Sequence, residues 1–266
     1  MRLFPACAIA VASLALIPSS LKGDDTQDIV ECTVRDMADT EHSLKALDRQ
    51  KEDAKHPLQR AAIDLMKKVL TDRFAALEQK KAMAAKGYET IAKFDEATMK
   101  PLDERREKAD MAMEAGCKAE SCAEPGEWLA KSIEEARKDK DMAPLAETLV
   151  KKRSEAEDAL GKLVDECTKD SPWGKVYKAR CDAEGAVLRM EYAERFFHAK
   201  RHEAGLAKRV AKKGTTEQKE NLKKLVEKSD EWFKAWDKSI DAQLKELKAR
   251  FERDILKKSV EKGLGW

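Results

Sequence analysis

Aromatic residues make up 6% of this 266-residue chain, glycine occurs 11 times, proline 7 times and asparagine once. Each scarcity excludes something. With so little turn chemistry, a fold of many short strands is disfavoured. The single asparagine, Asn221, is followed by Leu222 and Lys223, so there is no N-glycosylation acceptor. No alternating apolar–polar run of useful length marks a half-buried strand. A glycine-rich phosphate loop, a nucleophile elbow, a C-x-x-C pair and a haem-attachment motif are all missing. Net charge is missing too. The first 23 residues hold Arg2 and Lys22 and no acid, which leaves 51 basic and 51 acidic residues in the remainder. A neutral chain is a poor nucleic-acid binder.

What is abundant is charge, 39% of the residues, on a background of Ala, Leu, Lys and Glu. All four are strong helix formers. The composition predicts an all-α fold: an elongated antiparallel helical bundle with a long C-terminal coiled-coil-like αα-hairpin. Residues 1–23 have the form of a signal peptide. Arg2 starts it, Leu3 to Ile17 is apolar, and Pro18-Ser19-Ser20 ends it with small residues. Fifteen apolar residues broken by Pro5 are short for a membrane span. The expectation is an exported mature chain, periplasmic or extracellular, with no transmembrane segment. Residues 24–170 then form an N-terminal helical bundle region and 171–266 the long hairpin, continuous with it or separate.

The second arm of that hairpin carries apolar residues every eleven positions: Leu222, Phe233, Leu244 and Ile255; Leu225, Trp236 and Leu247; and a third row of Ile240 and Phe251 that begins on the polar Ser229. Eleven residues in three turns keep one face aligned along a nearly straight helix. The first arm carries Ala186, Met190, Ala193, Phe197, Ala204, Ala207 and Ala211. Gly214 suits a left-handed residue after a helix end, and Thr215 with Gln218 matches a capping box. Folding the chain at 214/215 sets Ala207 against Leu222, Phe197 against Trp232 and Ala193 against Trp236, small residues mostly facing large ones.

Upstream, Pro57 opens a helix from Leu58 to Ala85 that is apolar on two sides and therefore central. Gly87 stops it, and Pro101 kinks or restarts the next. Gly116 to Gly126 reads as the clearest loop in the chain. Asp141 caps and Pro144 opens another helix, which ends at Ser171-Pro172-Trp173-Gly174.

Cys167 and Cys181 lie seven residues either side of Gly174 and would face each other in a hairpin turning there. They are the expected disulfide, in keeping with export. Cys117 and Cys122 can staple the loop between them, or Cys32 can tie to one of them and leave a thiol that joins two chains.

From Arg195 to Lys213 seven cations (Arg195, Lys200, Arg201, Lys208, Arg209, Lys212 and Lys213) face one acid, Glu203. This is the expected interaction face, for a protein partner or an anionic surface or polymer, unless it pairs with the acidic N-terminal region. His198 and His202 share a helix face at a spacing that can hold a metal, but Lys200 and Arg201 between them oppose a cation. No cofactor or catalytic set is expected. The functional expectation is an exported, non-enzymatic interaction or scaffold protein binding another protein through helix faces. A holdase-type chaperone for unfolded exported chains is the alternative, and a bundle that binds a metal or cofactor is a more distant one.

Overall fold

The computed structural model describes residues 26–263, the side chains of 85 and 258–263 excepted. The signal-peptide reading of residues 1–23 lies outside them. Within this range the fold is all-α. Helix α1 is Thr26–Asp53, α2 Pro57–Met83, α3 Tyr88–Phe94, α4 Lys100–Ala123, α5 Glu127–Arg137, α6 Ala143–Thr168, α7 Trp173–Lys213 and α8 Thr216–Gly263. No described helix is long and apolar enough to cross a membrane.

The long helices run antiparallel, each packed on the next: α1 on α2, α2 on α4, α4 on α6, α6 on α7 and α7 on α8. Helix α2 also reaches α6, so α2, α4 and α6 form an inner trio. The sequence explains the closeness of this trio. Ala62, Ala109, Ala112, Ala119 and Ala156 have no exposed surface at all. At such positions a short side chain lets two backbones approach. One buried cluster continues from Ala62 of α2 through α4 and α6 to Trp173, Val176 and Tyr177 of α7 and Phe251 of α8. Ion pairs lace the outer rims of the seams. Lys51 binds Asp64 at 2.5 Å and Lys67 binds Asp48 across α1/α2, while Arg73 and Arg105 bind Asp103 and Asp72 across α2/α4.

Helix boundaries follow local chemistry with two corrections. Pro57 opens α2. His56 caps it: its Nδ1 accepts from the Leu58 amide at 3.3 Å, which leaves Nε2 to donate to Glu157 at 3.2 Å. Gly87, at φ 89°, is the turn before α3. The restart demanded by Pro101 is accommodated by a π-helical turn, Asp95–Met99, just before it. The expected loop from Gly116 to Gly126 is instead helix as far as Ala123, and the break is Glu124-Pro125-Gly126. Gly116 is there for packing. A Cβ on it would stand 2.8 Å from the Gln59 Cα, so glycine is what allows α4 to touch the backbone of α2. The second correction concerns α6. Asp141 does not cap it; the N-cap is Met142, and the Asp141 amide donates to Asp139 Oδ1 at 3.1 Å.

Candidate interaction surface

The outer hairpin is built as its register requires. Lys200 binds Asp230 at 2.5 Å, Arg189 binds Asp241 at 3.2 Å, and a Cβ on Gly185 would meet Leu244 at 3.0 Å. All three agree with a fold at 214/215. The capping box is complete: the Thr215 amide donates to Gln218 Oε1 at 2.9 Å, and the Gln218 amide to Thr215 Oγ at 3.2 Å. Gly214 is extended at φ −81° and not left-handed. Its need for glycine is crowding, since a Cβ would lie 2.4 Å from the Val210 carbonyl oxygen.

The face that α7 offers to α8 differs from the expected alanine stripe. Ala193 and Phe197 point inward, into a cluster with Leu129, Ile133 and Ala136 of α5 and Ala146 and Leu149 of α6. The row beside them, Gly185, Tyr192 and Phe196, meets α8. Tyr192 packs edge-on against Phe233 and Trp236 at 5.9 and 5.3 Å, and Phe196 against Phe233 at 4.9 Å. A helix of 41 residues enclosed on both sides needs two apolar rows, and the more regular one in sequence serves the larger core. On α8, Phe233, Ile240 and Phe251 are buried. Trp232, although ring-packed on Phe233 and Trp236, remains 54% exposed, and Leu225 is 48% exposed. The Arg195 guanidinium lies 5.3 Å over the Trp236 ring. The result is an aromatic and cationic flank along one side of the hairpin.

The basic face divides. Arg201 donates to Ser132 Oγ at 2.7 Å and pairs with Glu135 at 2.5 Å, and Lys208 pairs with Asp139 at 3.0 Å, all three partners on or beside α5. Lys200 is held by Glu203 and Asp230. Arg201 and Lys208 thus pair with the acidic N-terminal region, whereas Lys200 is neutralised within the hairpin itself. Arg209, Lys212 and Lys213 are exposed at the hairpin tip.

A polar network joins α4, α6 and α7 behind this face. The buried Arg153 donates to Glu194 at 3.1 Å and to the Ser121 carbonyl at 2.6 Å. His198, 3.8 Å from Glu194, and the Arg153 guanidinium hold the Glu194 carboxyl below the usual range despite its partial burial. His198 packs at a tilt against Trp128, ring centroids 4.8 Å apart, whereas His202 is exposed. Among the described residues no group of three metal-ligating side chains assembles. Sequence reasoning missed this network. The signal was a cation within the apolar row Leu149, Arg153, Ala156 and Leu160 of α6.

The five described cysteines are thiols. Cys167 and Cys181 share the α6/α7 cluster but no bond. The charges acting on Cys167 come from Lys108, Glu166 and Arg180, those on Cys181 from its own helix and from Lys248 and Glu252 of α8. Burial pushes the Cys167 thiol up to about 12 and raises Cys181 and Cys122 as well. A local Cys117–Cys122 staple is incompatible with α4. Five residues of helix rise ~7.5 Å, beyond the reach of a disulfide.

Between α4 and α7, above α6, lies a groove of about 330 Å³. Its floor includes Leu160 and Leu163, and Glu114, Lys118, Arg180 and Glu191 stand at its rim. No protein-family model, curated protein or solved structure matches this chain.

Proposed function

We propose that this is an exported, non-enzymatic interaction protein that docks another protein through the aromatic flank of its outer hairpin. The observation that carries the reading is Trp232, which keeps 54% of its surface exposed and packs on Trp236, over which the Arg195 guanidinium lies, with the 48% exposed Leu225 two turns away on α8. A large aromatic with an arginine at hand is the residue pairing that anchors protein interfaces. Helix α8 packs on α7 alone among the helices with substantial contact, so its remaining sides are open to a partner. The inner trio and α5 serve as the rigid base that holds this surface in place. Export follows from the form of residues 1–23. It would place Cys167 and Cys181 where oxidation to a disulfide can occur, and non-reducing peptide mapping of the secreted protein reads that bond directly.

The test is in-cell crosslinking and affinity purification of the parent chain beside Trp232→Ala. One protein recovered in fixed ratio with the parent, and lost with the variant, is the expected result. Recovery unaffected by the substitution removes the flank from the account. A holdase reading is favoured by one feature, the groove over α6 with its apolar floor. It predicts a broad, substoichiometric set of clients and suppression of aggregation of an unfolded protein in vitro.

A further inference from the structure

The tip of the hairpin carries a charge imbalance that its own structure does not offset. From Lys208 to Lys228 there are eight Lys/Arg and three Glu, whereas from Ser229 to Lys257 seven basic residues face seven acidic ones. All eight tip cations are exposed. The ion pairs made by this segment among the described residues are Lys208–Asp139 and the long Lys223–Glu227 contact at 3.9 Å. At the α1/α2 and α2/α4 seams, by contrast, Lys51, Lys67, Arg73 and Arg105 are matched by acids across the seam.

Helix electrostatics accounts for part of this and not the rest. Lys212 and Lys213 end α7, where the helix dipole favours cations. Lys219 stands in the first turn of α8, where the dipole opposes them. Lys219 with Lys223, and Lys224 with Lys228, are like charges four apart, an arrangement that destabilises a helix. Glu220 and Glu227 stand at favourable spacings to Lys223 and Lys224, but eight cations against three acids leave an excess of five at the tip, and that excess points to an external anion.

The shape narrows the class of anion. At about 100° per residue, Lys219, Lys223, Lys224 and Lys228 spread over about half the circumference of α8, and Lys208, Arg209, Lys212 and Lys213 over an arc of about 140° on α7. Such a spread on both arms brackets the turn between them. It is presented whole to a surface met end-on. Between the cations lie Leu206, Val210, Leu222 and Val226, half-buried, and Leu225, 48% exposed. Lysine stems can lie along such residues while their ammonium groups reach phosphate.

We infer that the tip of the α7/α8 hairpin docks end-on to an anionic phospholipid surface, through Arg209, Lys212, Lys213, Lys219, Lys223 and Lys224. This leaves the Trp232 flank, further along the hairpin, free for a protein.

The experiment is vesicle flotation of the purified protein with phosphatidylcholine vesicles, plain or doped with phosphatidylglycerol, across a salt series. Binding to the doped vesicles alone, weakening as salt rises, is expected. The triple variant Lys219→Glu, Lys223→Glu, Lys224→Glu should bind roughly a hundredfold less well. Its helical signal should be intact, since all three positions are exposed. Any apolar leader retained at the N-terminus is common to parent and variant, so their difference isolates the tip. Trp232→Ala should float like the parent, which separates this inference from the protein-docking one. No binding to doped vesicles at low salt overturns it, as does equal binding by parent and triple variant. Capture of soluble polyglutamate without vesicle binding overturns it in favour of an acidic protein.

Discussion

The inner seams and the outer seam of this protein are both antiparallel helix pairs, yet they are held by different means. Where α2, α4 and α6 meet, the contact is made by alanines and by Gly116, and the backbones nearly touch. Where α7 meets α8, the contact is made by rings, Tyr192, Phe196, Phe233 and Trp236, and is edged by exposed ion pairs. Close packing of small residues is intolerant of added atoms but secure on every side. A ring-filled seam on a helix with one main neighbour is looser, and it leaves large apolar groups in reach of solvent. The inner seams supply rigidity, and the outer one supplies surface.

Substitutions can break this contrast, and the largest effect belongs inside. Arg153→Ala removes a buried guanidinium from Glu194 and the Ser121 carbonyl and should destabilise the fold by about 3–4 kcal/mol, read as a fall in the urea midpoint. Gly116→Val drives side-chain atoms into the Gln59 backbone, at about 3 kcal/mol, and loss of amide protection should spread through α2, α4 and α6 together. Phe233→Ala should also cost about 3 kcal/mol, but the gain in amide exchange should be confined to α8 and the facing part of α7. If Phe233→Ala instead opens the inner helices equally, the two seams are one cooperative unit and the contrast fails.

Acid titration sharpens the same point by a smaller amount. The Glu194 carboxyl titrates lower in the folded protein than in the unfolded chain. Its contribution is therefore present above the ordinary carboxylate pKa and is lost as pH falls through the lowered one. Stability should drop in that acidic window less steeply in Glu194→Gln than in the parent. The smallest effect should come from Arg189→Ala, which breaks the exposed pair with Asp241 and should change stability by about 0.5 kcal/mol or less.

Much of this was legible in the chain alone. The helical class follows from composition. The start of α2 follows from Pro57, and the turn at 214/215 from Thr215 and Gln218, because caps and prolines act through neighbours in sequence. The hairpin register followed as well, since a tight turn and a fixed helical rise leave one alignment. What misled was Gly116. Beside two cysteines and ahead of Pro125 it reads as a loop, and the reason it lies within a helix is a contact with Gln59, 57 positions away.

The candidate site divides in the same way. Its cations can be named from sequence, and the excess of lysine around the turn can be counted there, whereas Trp232 reads in sequence as a seam residue facing Phe197. Which cations are neutralised was decided by tertiary structure, because Glu135 and Asp139 reach Arg201 and Lys208 through the placement of α5. So was the exposure of Trp232 beside the burial of Phe233, adjacent residues on one helix whose fates differ because α7 covers one side of α8 and not the other. Sequence determined the helices, their caps and the turn, which depend on residues a few positions apart. Tertiary structure decided which of their faces are spent on the core and which remain for a partner, since that depends on what each helix meets across the bundle.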